Sequence, residues 1–156
     1  MLDKDYIRRK LSSLHGYLKE LADIAPLTFT EYKTDSVRRH AAEKVIELIV
    51  DDAIDINRAI VEAAVREPPQ TSYNTFLGIE ELGILPHSLT VRLANSTGLR
   101  NRLVHRYEEI DHRIVYDALK PLVRHYRDYV RLIESFLTTG GRVSSAPKAA
   151  KRKRNK

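Results

Sequence analysis

Apolar residues recur along this chain at intervals of three and four. In the first segment Ile7, Leu11, Leu14, Leu18, Leu21 and Ala25 follow that spacing, with Arg8, Lys10, Lys19 and Glu20 off the stripe. The pattern predicts an amphipathic helix ended by Pro26. A second segment opens at Asp35 or Ser36, both helix-capping residue types, and runs to about Arg66, before Glu67-Pro68-Pro69. It carries two neighbouring stripes, Val45-Ile49-Ala53-Ile56-Ile60-Ala64 and Ile46-Val50-Ile54-Val61. Two stripes predict a central helix covered on more than one side, a partner subunit being one candidate cover. Residues 68–73 read as a loop. A short helix is expected around 74–82, ended by Gly83. Pro86 suits the first turn of a fourth helix, from about 87 to near 105. Gly98 inside it costs about 1 kcal/mol relative to alanine, which predicts packing that needs a small residue there. The last helix follows Asp111 and buries Val115, Leu119, Leu122, Tyr126, Val130, Ile133 and Phe136 or Leu137. Pro121 lies inside it and predicts a kink. The sequence shows no strand-like alternation and no internal repeat. The fold class is all-α, an antiparallel bundle of four or five helices.

Charge divides the chain in two. Residues 139–156 hold seven of the 27 basic side chains and none of the 21 acids. Residues 1–138 carry a net charge of −1. We therefore expect a helical domain over 1–138 and a disordered basic tail over 139–156. The overall basicity is not a nucleic-acid footprint. Local charge says more: between Leu82 and Tyr107 there is no acid but four arginines, Arg92, Arg100, Arg102 and Arg106. Cysteine is absent, which excludes disulfides, thiolate catalysis and Cys-based zinc sites. The first residues lack the apolar core of a secretory signal, and no apolar run is long enough to cross a bilayer. A cytoplasmic protein with no membrane partner is the expectation.

The residues with candidate chemistry lie in Leu99-Arg100-Asn101-Arg102-Leu103-Val104-His105-Arg106-Tyr107. Arg100, His105 and Tyr107 fit the pattern Arg-x4-His-x-Tyr. A transesterifying ribonuclease must deprotonate a ribose 2′-hydroxyl and stabilise charge on phosphorus. Histidine titrates near neutrality and serves as base. Arginine offers a fixed fork of donors to phosphate oxygens. The 2′-hydroxyl is the nucleophile, so neither metal nor cofactor is required. Asn101 is a supporting candidate, to orient the ring or contact RNA, and Arg102 and Arg106 are RNA-contact candidates. Arg-x4-His-x-Tyr arises by chance in roughly 3% of chains of this composition. A helix C-terminus that favours cations, followed by a solvated tyrosine, accounts for the same residues. Five helical steps place Arg100 and His105 about 140° apart around an intact helix. Either the helix frays before His105, or two subunits complete each site across a two-fold axis.

With these residues in view, the chain resembles the HepT-like toxins of the HEPN superfamily over roughly residues 4–137. Three stretches carry the resemblance: Ala-Ile-Asp-Ile-Asn-Arg-Ala-Ile at 53–60, Ser-Tyr-Asn-Thr-Phe-Leu-Gly-Ile-Glu-Glu-Leu-Gly-Ile-Leu at 72–85, and the motif at 99–107 followed by Glu-Glu-Ile-Asp111. The resemblance implies a HEPN-like helical homodimer and metal-independent RNA cleavage with Arg100 and His105 catalytic. It implies a nucleotidyltransferase antitoxin partner (MntA-like), in a homodimer or a larger hetero-oligomer. It also implies that the partner silences the toxin by adenylylating Tyr107. AMP there adds bulk and negative charge at the mouth of an RNA site. It implies no role for the basic tail.

Other residues give weaker signals. Asp51, Asp52 and Asp55 cluster on the second helix and read more readily as a solvated face than as metal ligands. His15, His40, His87 and His125 make no metal spacing, and His112 reads as surface. Tyr116, Tyr126 and Tyr129 fall on or beside the last apolar stripe and read as core or interface rather than base-stacking platforms. Two rival functions stand beside the ribonuclease. One is a catalytically silent substrate-binding or accessory partner of a nucleotidyltransferase. The other is a generic helical interaction domain.

Overall fold

A computed structural model describes residues 1–64, 67–105 and 109–141. It holds six helices: α1 Lys4–Ile24, α2 Phe29–Thr34, α3 Ser36–Ala64, α4 Ser72–Glu81, α5 His87–Val104 and α6 His112–Thr138. No strand occurs among the described residues. The all-α expectation holds, with one helix more than the four or five foreseen. The addition is α2, whose six residues are too few to show a period. Local bonds make it. Thr28 Oγ1 accepts from the Glu31 amide at 3.2 Å, and Glu31 Oε1 accepts from the Thr28 amide at 3.1 Å. This reciprocal cap satisfies two donors that a helix start leaves open. Its other product is to bury Tyr32.

The apolar stripes of α1 and α6 are buried as their periods require. Asp3 caps α1, Asp35 caps α3 and Asp111 caps α6, each carboxylate accepting from an amide two or three residues on. Pro86 sits at the N-cap of α5, one place before the first turn. Gly83 closes α4 at φ 79°, with bonds from its own amide to Glu80 and from Ile84 to Ile79. Helix α6 runs unbroken through Pro121.

Helix α3 is the axis of the bundle. It packs against α1, α2, α4 and α5. Helix α6 reaches it through Tyr129, whose hydroxyl lies 2.7 Å from Asn57 Oδ1 and 3.2 Å from the Ala53 carbonyl. Asn57 Nδ2 in turn donates to Thr75 Oγ1 at 3.2 Å, tying α3, α4 and α6 in a buried polar chain. Both apolar stripes of α3 are thus covered by the chain itself, and a second subunit is not needed as cover. Ala64, placed on the first stripe, is exposed where the helix leaves the core. Tyr126 and Tyr129 are core residues, Tyr116 is half-buried against Phe29 and Tyr32, and His112 is half-buried rather than surface. Among the described residues no helix is long and apolar enough to cross a membrane.

Helices α3 and α4 meet closely at Gly78. A Cβ there would lie 2.8 Å from Val61 Cγ2, a branched side chain that is stiff about χ1. Gly78→Ala should therefore destabilise by about 1–3 kcal/mol despite alanine's better helix propensity. Thermal unfolding is the measurement, and adding Val61→Ala should return part of the loss.

Candidate active site at the end of helix α5

Helix α5 is anchored by its buried residues Leu93, Thr97 and Leu103. Ser96 Oγ and Tyr126 OH, 2.6 Å apart, join it to α6. The helix is regular to Val104. His105 is its C-cap, and the His105 amide still donates to the Asn101 carbonyl at 2.9 Å. The chain has thus not frayed before the histidine. The wide angular separation expected between Arg100 and His105 follows.

The two side chains serve different seams. Arg100 turns to α3, where its Nε donates to Asp51 Oδ1 at 2.7 Å. Both partners are partly shielded, at 26% and 35% side-chain exposure, so solvent screens the pair only in part. Arg100 Nη1 also donates to Asn101 Oδ1 at 3.3 Å. Asn101 therefore supports the arginine through its side chain and His105 through its carbonyl. His105 is exposed and lines a cavity of about 250 Å³ on the α5–α6 side, with Leu99, Arg102, Leu103, Ile110 and Glu109 among its other walls. Arg102 is exposed and borders this cavity and a neighbouring groove of about 530 Å³ between α5 and α6. Arg106 and Tyr107 lie outside the described residues.

Asp51 is the residue that reading the sequence missed. The sequence sets it beside Asp52 and Asp55 as one solvated face, yet the three split. Asp55 Oδ2 accepts from Lys10 Nζ at 2.8 Å, and Asp52 Oδ1 lies 3.7 Å from the same ammonium. Asp52 is only 8% exposed, and burial pushes its carboxyl above the usual range. Asp51 alone faces α5. The signal available was the stretch from 83 to 107, which has four arginines and no acid. A half-buried Arg100 had to find its counter-charge on another helix. Among the described residues no group of three His, Asp or Glu is arranged to hold a metal ion.

The all-helical bundle thus carries Arg100 and His105 in the last turn and a half of α5. The chain belongs to the HepT-like family: the model "Ribonuclease HepT-like" matches residues 14–133, which include Asp51, Arg100 and His105. A tRNA nuclease HepT from Aphanizomenon flos-aquae is 32% identical over 133 residues, covering 85% of this chain and 90% of that one. The fold matches that of a tri-AMPylated Shewanella oneidensis HEPN toxin solved in complex with an MNT antitoxin, at TM-score 0.76 and 21% identity, over 86% of this chain and 99% of that one. It also matches YutE of Bacillus subtilis, a cytosolic protein of unknown function, at TM-score 0.76 and 18% identity, over 92% and 96%.

The Nε bond fixes the plane of the Arg100 guanidinium and leaves donors on its Nη atoms for a phosphate. Asp51→Ala should release that plane and lower kcat for RNA cleavage by about 10–100-fold. Asp51→Asn keeps an acceptor for Nε and should retain most of the activity. Gel-based cleavage rates beside unfolding temperatures test this, since a merely structural role would move stability first.

Proposed function

We propose that this chain is the toxin of a toxin–antitoxin pair, an endoribonuclease that cuts RNA without a metal ion. The supporting observation is the end of α5, where a guanidinium braced by Asp51 and an exposed imidazole occupy one helical turn and a half. His105 removes the proton of a ribose 2′-hydroxyl. The 2′-oxygen attacks the adjacent phosphorus while Arg100 holds a non-bridging oxygen. The bond to the 5′-oxygen breaks, and that oxygen takes a proton from solvent. The products are a 2′,3′-cyclic phosphate and a 5′-hydroxyl. Arg102 and Arg106 carry flanking phosphates. Cytoplasmic RNA is the substrate pool.

A symmetric homodimer fits these residues better than a lone chain. Arg100 faces α3 while His105 faces the α5–α6 side, so one copy's histidine meets the other copy's arginine across a two-fold axis. The α5–α6 groove is the candidate contact face. Ile114 on its wall is 45% exposed. Gly98 also lines it, and a Cβ at Gly98 would touch nothing within 4 Å. The expected need for a small residue at Gly98 is therefore not met inside the chain. Close approach of a second copy supplies the reason. The partner in this reading is a nucleotidyltransferase antitoxin that adenylylates Tyr107 and forms a hetero-oligomer with the dimer. The tri-AMPylated toxin held by its MNT antitoxin is the precedent.

Purified protein should cleave RNA in EDTA and leave 2′,3′-cyclic ends. His105→Ala should lower the rate by about 10²–10⁴-fold with its unfolding temperature unchanged; cleavage at the wild-type rate in that variant rejects the assignment. Gly98→Leu should yield monomers by light scattering and lose activity with them. Co-expression with the antitoxin should add AMP units to the intact mass, and Tyr107→Phe should remove at least one.

A further inference from the structure

The cavity beside His105 has a composition that phosphate binding does not explain. Its walls are apolar: Leu99 and Leu103, four apart on α5, face Ile114 and Val115 of α6, with Ile110 at the end. Its polar groups are Arg102, His105, Glu109 and Asp111, all exposed. Two of those are carboxylates, which repel phosphate. Asp111 is already engaged, because its Oδ1 accepts from the Arg113 amide at 2.9 Å as the cap of α6. Glu109 is the carboxylate available to a ligand. The volume, about 250 Å³, falls just below the range of about 300–1,000 Å³ typical of drug-sized pockets. One planar ring system fits it, and a base pair does not.

We infer that this cavity is a nucleobase slot, taking an amino-bearing base (adenine, cytosine or guanine) of the RNA nucleotide beside the cut. The inference rests on the ribonuclease reading, because His105 lines the slot and ties it to the scissile phosphate. Unstacked bases of single-stranded RNA are held by apolar or aromatic faces and read at their hydrogen-bonding edges. Here the Leu and Ile walls hold the faces of the ring. Glu109 can only accept, so it selects an edge that donates. Adenine and cytosine offer an exocyclic amine, and guanine offers adjacent N1–H and N2–H groups. Arg102 donates to a ring nitrogen or carbonyl beside them. Uracil presents its single N3–H between two carbonyl oxygens, and both face the carboxylate unfavourably. The slot discriminates against uracil for that reason.

The test uses the full chain and the four ribonucleoside 3′-monophosphates, titrated by calorimetry. The adenosine, cytidine and guanosine nucleotides should each bind about tenfold or more tightly than the uridine nucleotide. Glu109→Gln supplies an amide that both donates and accepts, and should bring the four within about twofold. Ile110→Ala should weaken all four, since it removes part of the wall. His105→Ala should lose cleavage and keep the base preference. Equal binding of the four nucleotides by the wild type, or a preference unchanged in Glu109→Gln, overturns the slot. So does a result in which Glu109→Gln and Ile110→Ala shift only the monomer–dimer equilibrium, because the cavity would then be filled by a second copy. Undiminished cleavage in His105→Ala with the base preference intact leaves the slot standing and removes the catalytic reading instead.

Discussion

The hydrogen bond from the His105 amide to the Asn101 carbonyl keeps α5 helical to its last residue, and the pitch it enforces decides where every described side chain of the motif goes. At 100° per residue, Leu103 falls into the core, Arg100 falls toward α3, and Leu99, Arg102 and His105 fall on the side of α6. One helical end therefore serves three environments at once. That division holds only if α5 cannot rotate. Leu93, Thr97 and Leu103 prevent rotation by burial, Ser96 by its bond to Tyr126, and Arg100 by its pair with Asp51. The candidate site sits at the exposed end of a helix whose preceding turns are locked.

Most of the fold was legible because burial is periodic. The stripes of α1, α3 and α6 span four or more turns, and long periods survive local irregularity. Helix α2 was illegible by that means, since six residues complete fewer than two turns. Its Thr28-x-x-Glu31 cap was in the sequence, but a capping box announces a helix only beside an apolar run, and Tyr32 is the one residue α2 buries. Two of the three helical glycines, Gly78 and Gly98, show a different limit. A glycine costs its helix the same whatever surrounds it, so the sequence predicts tight packing at Gly98, whereas within the chain it is Gly78 that meets a close neighbour. Which glycine has a neighbour depends on how helices cross, and that is set by residues far away in sequence.

The candidate site divides along the same line. The placement of Arg100 and His105 was legible, because both sit at the end of one helix and spacing on a helix fixes their angular separation. Asp51 was not, because 49 residues separate it from Arg100. The acid-free run around the motif required a distant counter-charge without saying which. Helix α3 offers six acids, Glu43, Glu47, Asp51, Asp52, Asp55 and Glu62, and only the fold chooses among them.

The choice is made by azimuth. Asp51, Asp52 and Asp55 lie within little more than one turn of α3, yet Asp52 and Asp55 meet Lys10 of α1 while Asp51 meets Arg100 of α5. Adjacent positions on a helix point 100° apart, so neighbours in sequence must address different helices. The turn that looked like a solvated acidic face is thus a clamp between α1 and α5. Two cations hold its three acids, so the local charge is nearly balanced before any substrate arrives. This balance also limits what Asp51 can do. A carboxylate against Arg100 reduces the attraction of the guanidinium for a polyanion, while fixing the plane in which it meets one. The arrangement favours orientation of the guanidinium over its affinity for an anion.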